Sequence, residues 1–177
     1  MKKRGIGGGR TVTGLNFERS TDIDTLLKKT PGYKVSGNKI FYDGEEVARS
    51  YKKHNLYFFL KEEGIDHKRY ISKKLLPDEA LFVIVNNTLF IIEVKFQEVV
   101  GSVDEKLQTC DFKRKQYAKL LAPLNVEVEY IYILSDWFRK PEYKDVLDYI
   151  VSVGCQYYFE SLPLHKLGLP VPKSRNK

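Results

Sequence analysis

Apolar positions run almost unbroken through two neighbouring stretches, Ala80–Val85 and Leu89–Phe96, which predict a pair of β-strands. Asn86 and Asn87 stand between them. Asn tolerates positive φ, so the two runs are expected to form a hairpin closed by a two-residue loop. Upstream, Leu15, Phe17, Ile23, Leu26 and Leu27 recur near helical spacing and predict a helix from Gly14 that Pro31-Gly32 ends. Tyr33–Val35 and Lys39–Tyr42 read as short strands joined by Ser36-Gly37-Asn38. Glu45–Glu63, with Val47, Tyr51, Phe58 and Phe59, reads as a helix stopped by Gly64. Downstream, Ser102 followed by Glu105 has the capping-box spacing and predicts a helix over Val103–Leu121. Val126–Leu134 is strand-like, Glu142–Val153 helical and Gln156–Phe159 a last short strand. The order is α, ββ, α, ββ, α, β, α, β, which implies an α/β fold with a mixed central sheet flanked by helices.

At 177 residues the chain suits one domain spanning residues 1–177. Three segments have their own character. Residues 1–13 are Gly-rich and basic and read as a flexible arm. Residues 33–74 are a substantial segment ahead of the hairpin, and residues 163–177 form a Pro- and Lys-rich tail. No apolar run is long enough to span a bilayer. Glycines follow Met1-Lys2-Lys3-Arg4 where a signal peptide needs an apolar core, so a cytoplasmic protein without a membrane partner is expected.

Charge adds a direction. Thirty Lys and Arg against 23 Asp and Glu leave a net +7, which suits a partner with a phosphate backbone. The run Lys113-Arg114-Lys115, with Lys106 and Lys119, reads as a solvated helix face able to touch phosphates. Cys110 and Cys155 lack metal-site spacing and read as small buried hydrophobes. His54, His67 and His165 have no spacing that gathers them. Tyr130, Tyr132, Trp137, Phe138, Tyr157, Tyr158 and Phe159 read as packing residues.

Candidate chemistry sits on the hairpin. Strand alternation puts Glu93, Lys95 and Gln97 on one face and Ile92, Val94 and Phe96 on the other. Charges interrupt a greasy run on that face only, which costs stability unless they are satisfied or functional. With a two-residue loop, Val85 pairs with Thr88, Ala80 with Glu93 and Asp78 with Lys95. Asp78 and Glu93 would then be diagonal neighbours about 7–8 Å apart, near enough for their carboxylates to share a hard divalent cation such as Mg²⁺.

Pro77-Asp78 followed by Glu93-Val94-Lys95 resembles the signature of the PD-(D/E)xK nuclease superfamily, which includes many type II restriction endonucleases. The resemblance runs roughly from Leu15 to Leu134. It implies a restriction-endonuclease-like core and a Mg²⁺-dependent endonuclease acting on double-stranded DNA as a homodimer. It implies that Asp78, Glu93 and the Val94 backbone carbonyl bind metal while Lys95 assists the attacking water. Glu18 resembles the acidic residue that many members carry on the first core helix. Glu93-Val94-Lys95-Phe96-Gln97 resembles a form of the motif extended to include Gln97. The segment from Glu18 to Asp78 is longer than in compact members, and residues 33–74 are read as a DNA-recognition or dimerisation segment. Two other functions fit the chain: a structure-selective nuclease such as a Holliday-junction resolvase, whose basic, Gly-rich start it also resembles, and a nucleic-acid-binding module with a silent site.

Overall fold

The computed structural model describes residues 14–18, 21–98 and 103–172. Its longest apolar runs meet at the centre of a seven-stranded sheet. β5 (Glu79–Val83) and β6 (Thr88–Lys95) are antiparallel, and β6 runs parallel to β7 (Glu127–Leu134) from Thr88↔Glu127 to Lys95↔Leu134. β8 (Gln156–Phe159) adds a second parallel pair at one edge. β4 (Glu45–Ser50), β3 (Lys39–Tyr42) and β2 (Tyr33–Ser36) extend the other edge as an antiparallel meander, giving the order β2-β3-β4-β5-β6-β7-β8. The fold is mixed α/β with a mostly antiparallel sheet.

Parallel neighbours need crossover connections. α3 (Val103–Leu107) and α4 (Cys110–Leu121) link β6 to β7, and α5 (Lys144–Ser152) links β7 to β8. These helices and α2 (Asn55–Glu62) pack on one face of the sheet, against Ala80, Leu89, Ile91, Tyr130, Tyr132 and Leu134. The opposite face carries Leu81, Val83, Phe90, Ile92, Ile131 and Ile133. It is covered by α1 (Ile23–Lys28) and by the ribbon of β1 (Gly14–Asn16) with β9 (Ser161–Pro163). With both faces covered, the central strands are apolar on both sides. Among the described residues no helix is long and apolar enough to cross a membrane.

Four local expectations change. The helix expected from Gly14 is a strand over Gly14–Asn16. Leu15 and Phe17 are two residues apart and both buried, a period of two, and the partner is distant in sequence (Leu15↔Leu162). Helix begins only at Ile23, where the Asp22 side chain accepts the Thr25 N–H at 2.7 Å.

The first half of the expected Glu45–Glu63 helix is strand β4. Asp43 and Gly44 have φ of 48° and 93°, which folds the chain back beside β3, and Ala48 then pairs with Val83. Backbone pairing on both sides outweighs the helical reading of Val47 and Tyr51, and α2 starts only at Asn55.

The central hairpin has a four-residue loop, Ile84 to Asn87, instead of the two-residue loop. A tight turn needs positive φ at both central residues. Only Asn87 has it (φ 49°), and its N–H closes a turn onto the Ile84 carbonyl at 3.2 Å. Val83 therefore pairs with Thr88, and the register moves by two residues.

The expected Val103–Leu121 helix breaks between Leu107 and Cys110. The Lys106 carbonyl there accepts from the Thr109 hydroxyl (2.7 Å) and from the Tyr132 hydroxyl (3.1 Å), which diverts it from the helical ladder. The arm at residues 1–13 and the expected cap Ser102 lie outside the described residues.

After β9 the chain turns through Leu164–Leu167, and Leu164, Leu167 and Leu169 complete the core on the β1 side. Leu164→Ala should therefore cost about 2–5 kcal/mol, as for a fully buried leucine. Urea unfolding checks this, and a loss below about 0.5 kcal/mol, as at a surface site, would show the segment to be peripheral.

Candidate active site

Asp78 precedes β5 at a point held from two sides. The Lys53 N–H donates to the Pro77 carbonyl (3.2 Å) and the Tyr51 N–H to the Ala80 carbonyl (2.7 Å). Slightly upstream, the Tyr57 hydroxyl bonds both the N–H and the carbonyl of Leu75, at 2.8 and 2.9 Å. Glu93 and Lys95 lie on β6, inside the sheet, opposite Tyr132 and Leu134 of β7. The observed pairing Glu79↔Ile92, carried one residue further, brings Asp78 level with Glu93, where the shorter loop would have put it opposite Lys95. A two-residue shift preserves the face, so Asp78, Glu93 and Lys95 still project to the same side.

The Glu93 side chain is 7% exposed, yet it carries a carboxylate. Its oxygens are held by three charge-assisted bonds: Lys95 Nζ to Oε2 at 2.9 Å, and Lys113 Nζ to Oε1 and Oε2 at 2.8 and 3.0 Å. Lys95 Nζ also reaches Asp78 Oδ2 at 3.6 Å, so one ammonium bridges both carboxylates. Asp78 is half exposed and forms the open end of the cluster. Burial pushes the Glu93 carboxyl up, but the charges of Lys95 and Lys113 and the Lys113 hydrogen bonds outweigh it and hold the group below the usual carboxylate range. Beside it lies the buried Tyr130 hydroxyl, pushed well above the phenol range by burial and by the charge of Glu93.

Asp78 also borders the other face of the sheet. Glu18, Thr21, Asp22, Lys53, Asp78, Glu79 and Val94 line an open cavity of about 400 Å³. Glu18 is thus brought toward Asp78, but from a loop and not from a helix. The Phe17 N–H pairs with the Glu160 carbonyl (2.8 Å), and the strand path carries Glu18 to an exposed position before α1 begins. Val94 is half buried at the cavity wall. Gln97 stays apart: among the described contacts it touches neither carboxylate nor Lys95. Its backbone bonds Ser135 Oγ in both directions at 3.2 Å, and its buried amide has no partner.

Two residues escaped the sequence reading. Lys113 looked like part of a solvated face, yet Cys110, Lys113, Tyr117 and Leu120 lie at helical spacing on the stripe that α4 turns to the sheet. A single lysine interrupting that stripe was the available signal. Glu79 is buried on the opposite face from Glu93, with Oε1 accepting the Ile23 N–H at 3.4 Å and Oε2 unpartnered. Its signal was parity with the core residues Leu81 and Val83. Lys52, which bridges Asp22 and Asp24 at 3.1 and 2.8 Å, supplies the nearby positive charge.

Among the described residues no three His, Cys, Asp or Glu side chains gather closely enough to hold a metal by themselves. Asp78 and Glu93 are two hard oxygen donors around one cation position, here occupied by the Lys95 ammonium. Such a set fits Mg²⁺, which commonly takes one or two carboxylates and keeps several waters.

Burial, chiefly, and the charges of Asp24 and Asp22 push the Glu79 carboxyl up to about 7 against the pull of Lys52 and the Ile23 N–H. The folded protein therefore keeps a proton that the unfolded chain releases near 4.5. Stability should fall as pH rises between these values and stay lower above them, by up to about 3 kcal/mol. Glu79→Gln removes the effect, so its stability relative to the parent should rise from about pH 5 to about pH 8 in denaturant titrations. A pH-independent difference would show that Glu79 is ionised throughout.

Compared with protein-family models, with curated proteins and with solved structures, the chain matches none.

Proposed function

We propose that this protein is a Mg²⁺-dependent endonuclease of the PD-(D/E)xK type that hydrolyses phosphodiester bonds in duplex DNA, acting in the cytoplasm as a restriction enzyme. One observation carries this reading: a buried carboxylate, Glu93, shares the Lys95 ammonium with the half-exposed Asp78 at the mouth of the central hairpin. A structural ion pair has no need of a second, solvent-facing acid at that position. In this reading β5, β6 and β7 with α4 are the family's catalytic core.

Asp78 and Glu93, with the Val94 carbonyl, would hold the metal, and Glu18 approaches Asp78 from the cavity on the other face of the sheet, on the loop after β1. When bound, Mg²⁺ supplies charge neutralisation at the phosphate and lowers the pKa of a coordinated water. Lys95 would orient the attacking water or donate to a non-bridging phosphate oxygen as negative charge develops there. Water oxygen bonds to phosphorus and gives its proton to solvent, a bridging P–O bond breaks, and the leaving oxygen takes a proton from solvent. Two copies of the chain would cut the two strands.

Residues 33–74 are the proposed recognition segment. They supply β2, β3, β4 and α2. An open groove of about 460 Å³ beside α2 is walled by Tyr57, Phe58 and Ile65 and edged by His54, Lys61, His67 and Lys74, with Asp66 the sole acid among its lining residues. Two lysines, Lys61 and Lys74, at the edge of a partly aromatic wall suit a nucleic-acid strand.

Purified protein with Mg²⁺, offered plasmid duplex and a four-way junction side by side, tests the function. Discrete duplex fragments are expected. Selective junction cutting would replace restriction with junction resolution, and retardation without cutting would leave a binding module. Asp78→Asn, Glu93→Gln and Lys95→Ala should each lower cleavage at least about 100-fold while DNA binding persists. Near-parental cutting by a folded variant at saturating Mg²⁺ removes that residue from the mechanism. Glu18→Ala should slow cleavage without lowering the melting temperature. Alanine at Lys61 or Lys74 should weaken all sequences alike if these residues touch phosphates. A loss of about 1–3 kcal/mol confined to one base position would instead mark base contact.

A further inference from the structure

Lys113 has no part in the hydrolysis outlined above, yet its ammonium is bound to the most buried acid of the cluster. It bonds both oxygens of Glu93, and its side chain is only about a quarter exposed. It reaches this position from α4, on the stripe whose other members pack into the core. Lysine is a point charge on a flexible four-carbon stem, so its ammonium can change partners without moving the helix.

Formal charge shows what that ammonium does. Asp78 and Glu93 contribute two negative charges, Lys95 and Lys113 two positive ones, and the connected cluster is neutral. A divalent cation entering it meets two ammoniums in a place where burial weakens screening. A phosphodiester brings the missing negative charge and offers Lys113 an alternative acceptor of the kind ammoniums bind well.

We infer that Lys113 is a charge gate on the metal site: it occupies Glu93 and opposes the divalent cation in the DNA-free protein, then transfers to a backbone phosphate of bound DNA. Metal then binds tightly only together with substrate, and by linkage DNA binds more tightly with metal, by the same factor. This rests on the endonuclease reading. Lys113 is a positioning residue here, since it acts through Glu93 and the phosphate. The sign of its effect separates the gate from a structural role. Removing a mere prop for Glu93 would weaken metal binding, whereas removing the gate strengthens it.

The test is a Mn²⁺ titration of the full chain, followed by electron paramagnetic resonance, with and without a cleavage-resistant phosphorothioate duplex. For the parent, DNA should tighten Mn²⁺ binding at least about tenfold. Lys113→Gln should bind Mn²⁺ without DNA at least about tenfold more tightly than the parent, and its response to DNA should shrink. Lys113→Arg should behave as the parent. Parental or weaker DNA-free binding by folded Lys113→Gln overturns the gate, as does parental Mn²⁺ affinity that ignores DNA. The second comparison needs no variant and decides the matter if Lys113→Gln fails to fold. Failure of the gate alone leaves a parent protein that still cuts DNA with metal, whereas a parent that neither binds Mn²⁺ nor cuts DNA removes the endonuclease reading itself.

Discussion

Glu93 places a carboxylate on an inner strand of a seven-stranded sheet, between β5 and β7 and under α4, where water hardly reaches it. An isolated charge there would cost several kcal/mol or would be neutralised by protonation. Neither occurs, because two lysines from different elements converge on it: Lys95 from the same face of the same strand, and Lys113 from the overlying helix. The packing of α4 is therefore tied to the charge on Glu93. Had Lys113 stood a residue earlier or later, it would have left the core-facing stripe and the carboxylate would be half paired. The helix break after Leu107, set by bonds to the Lys106 carbonyl, fixes where α4 starts and so where Lys113 points.

Asp78 gives this buried pair access to solvent. It sits where the chain enters β5, pinned through Pro77 by the segment between β4 and α2. On one side it meets Lys95. On the other it borders the cavity that Glu18, Asp22 and Glu79 share. The two faces of the sheet are otherwise separated by continuous apolar packing, and the mouth of the hairpin is where their charged groups approach one another. Acids on two paired strands, Glu79 on β5 and Glu93 on β6, thus have opposite surroundings. Glu93 lies among cations and stays ionised, whereas Glu79 is buried with other acids nearby and holds its proton to about 7.

This division has a consequence for the proposed chemistry. The groups that would meet metal and phosphate are carried by strands and by a helix anchored in a dense core. The groups that would meet the rest of the DNA lie on α2 and the turns after it, which cover the same face. A rigid centre with recognition on peripheral elements lets substrate choice vary without disturbing the spacing of Asp78, Glu93 and Lys95.

Sequence by itself determined the central hairpin, the strands β2, β3, β7 and β8, and the common face of Asp78, Glu93 and Lys95. Each follows from alternation or turn chemistry within a few residues. The common face also survived an error in loop length, because a shift of two residues leaves strand parity unchanged. Tertiary structure decided everything that depends on a distant partner. Gly14–Asn16 is a strand because Ser161–Pro163 lies beside it, and Glu45–Ser50 is a strand because β3 and β5 flank it. Local periodicity cannot report such pairing, since the bonds that decide it are made by residues far along the chain. The same reason hid half of the charge balance at the site. Lys113 lies twenty residues from Glu93 in sequence, and only the crossover that lays α4 over β6 turns a lysine among lysines into the partner of a buried acid.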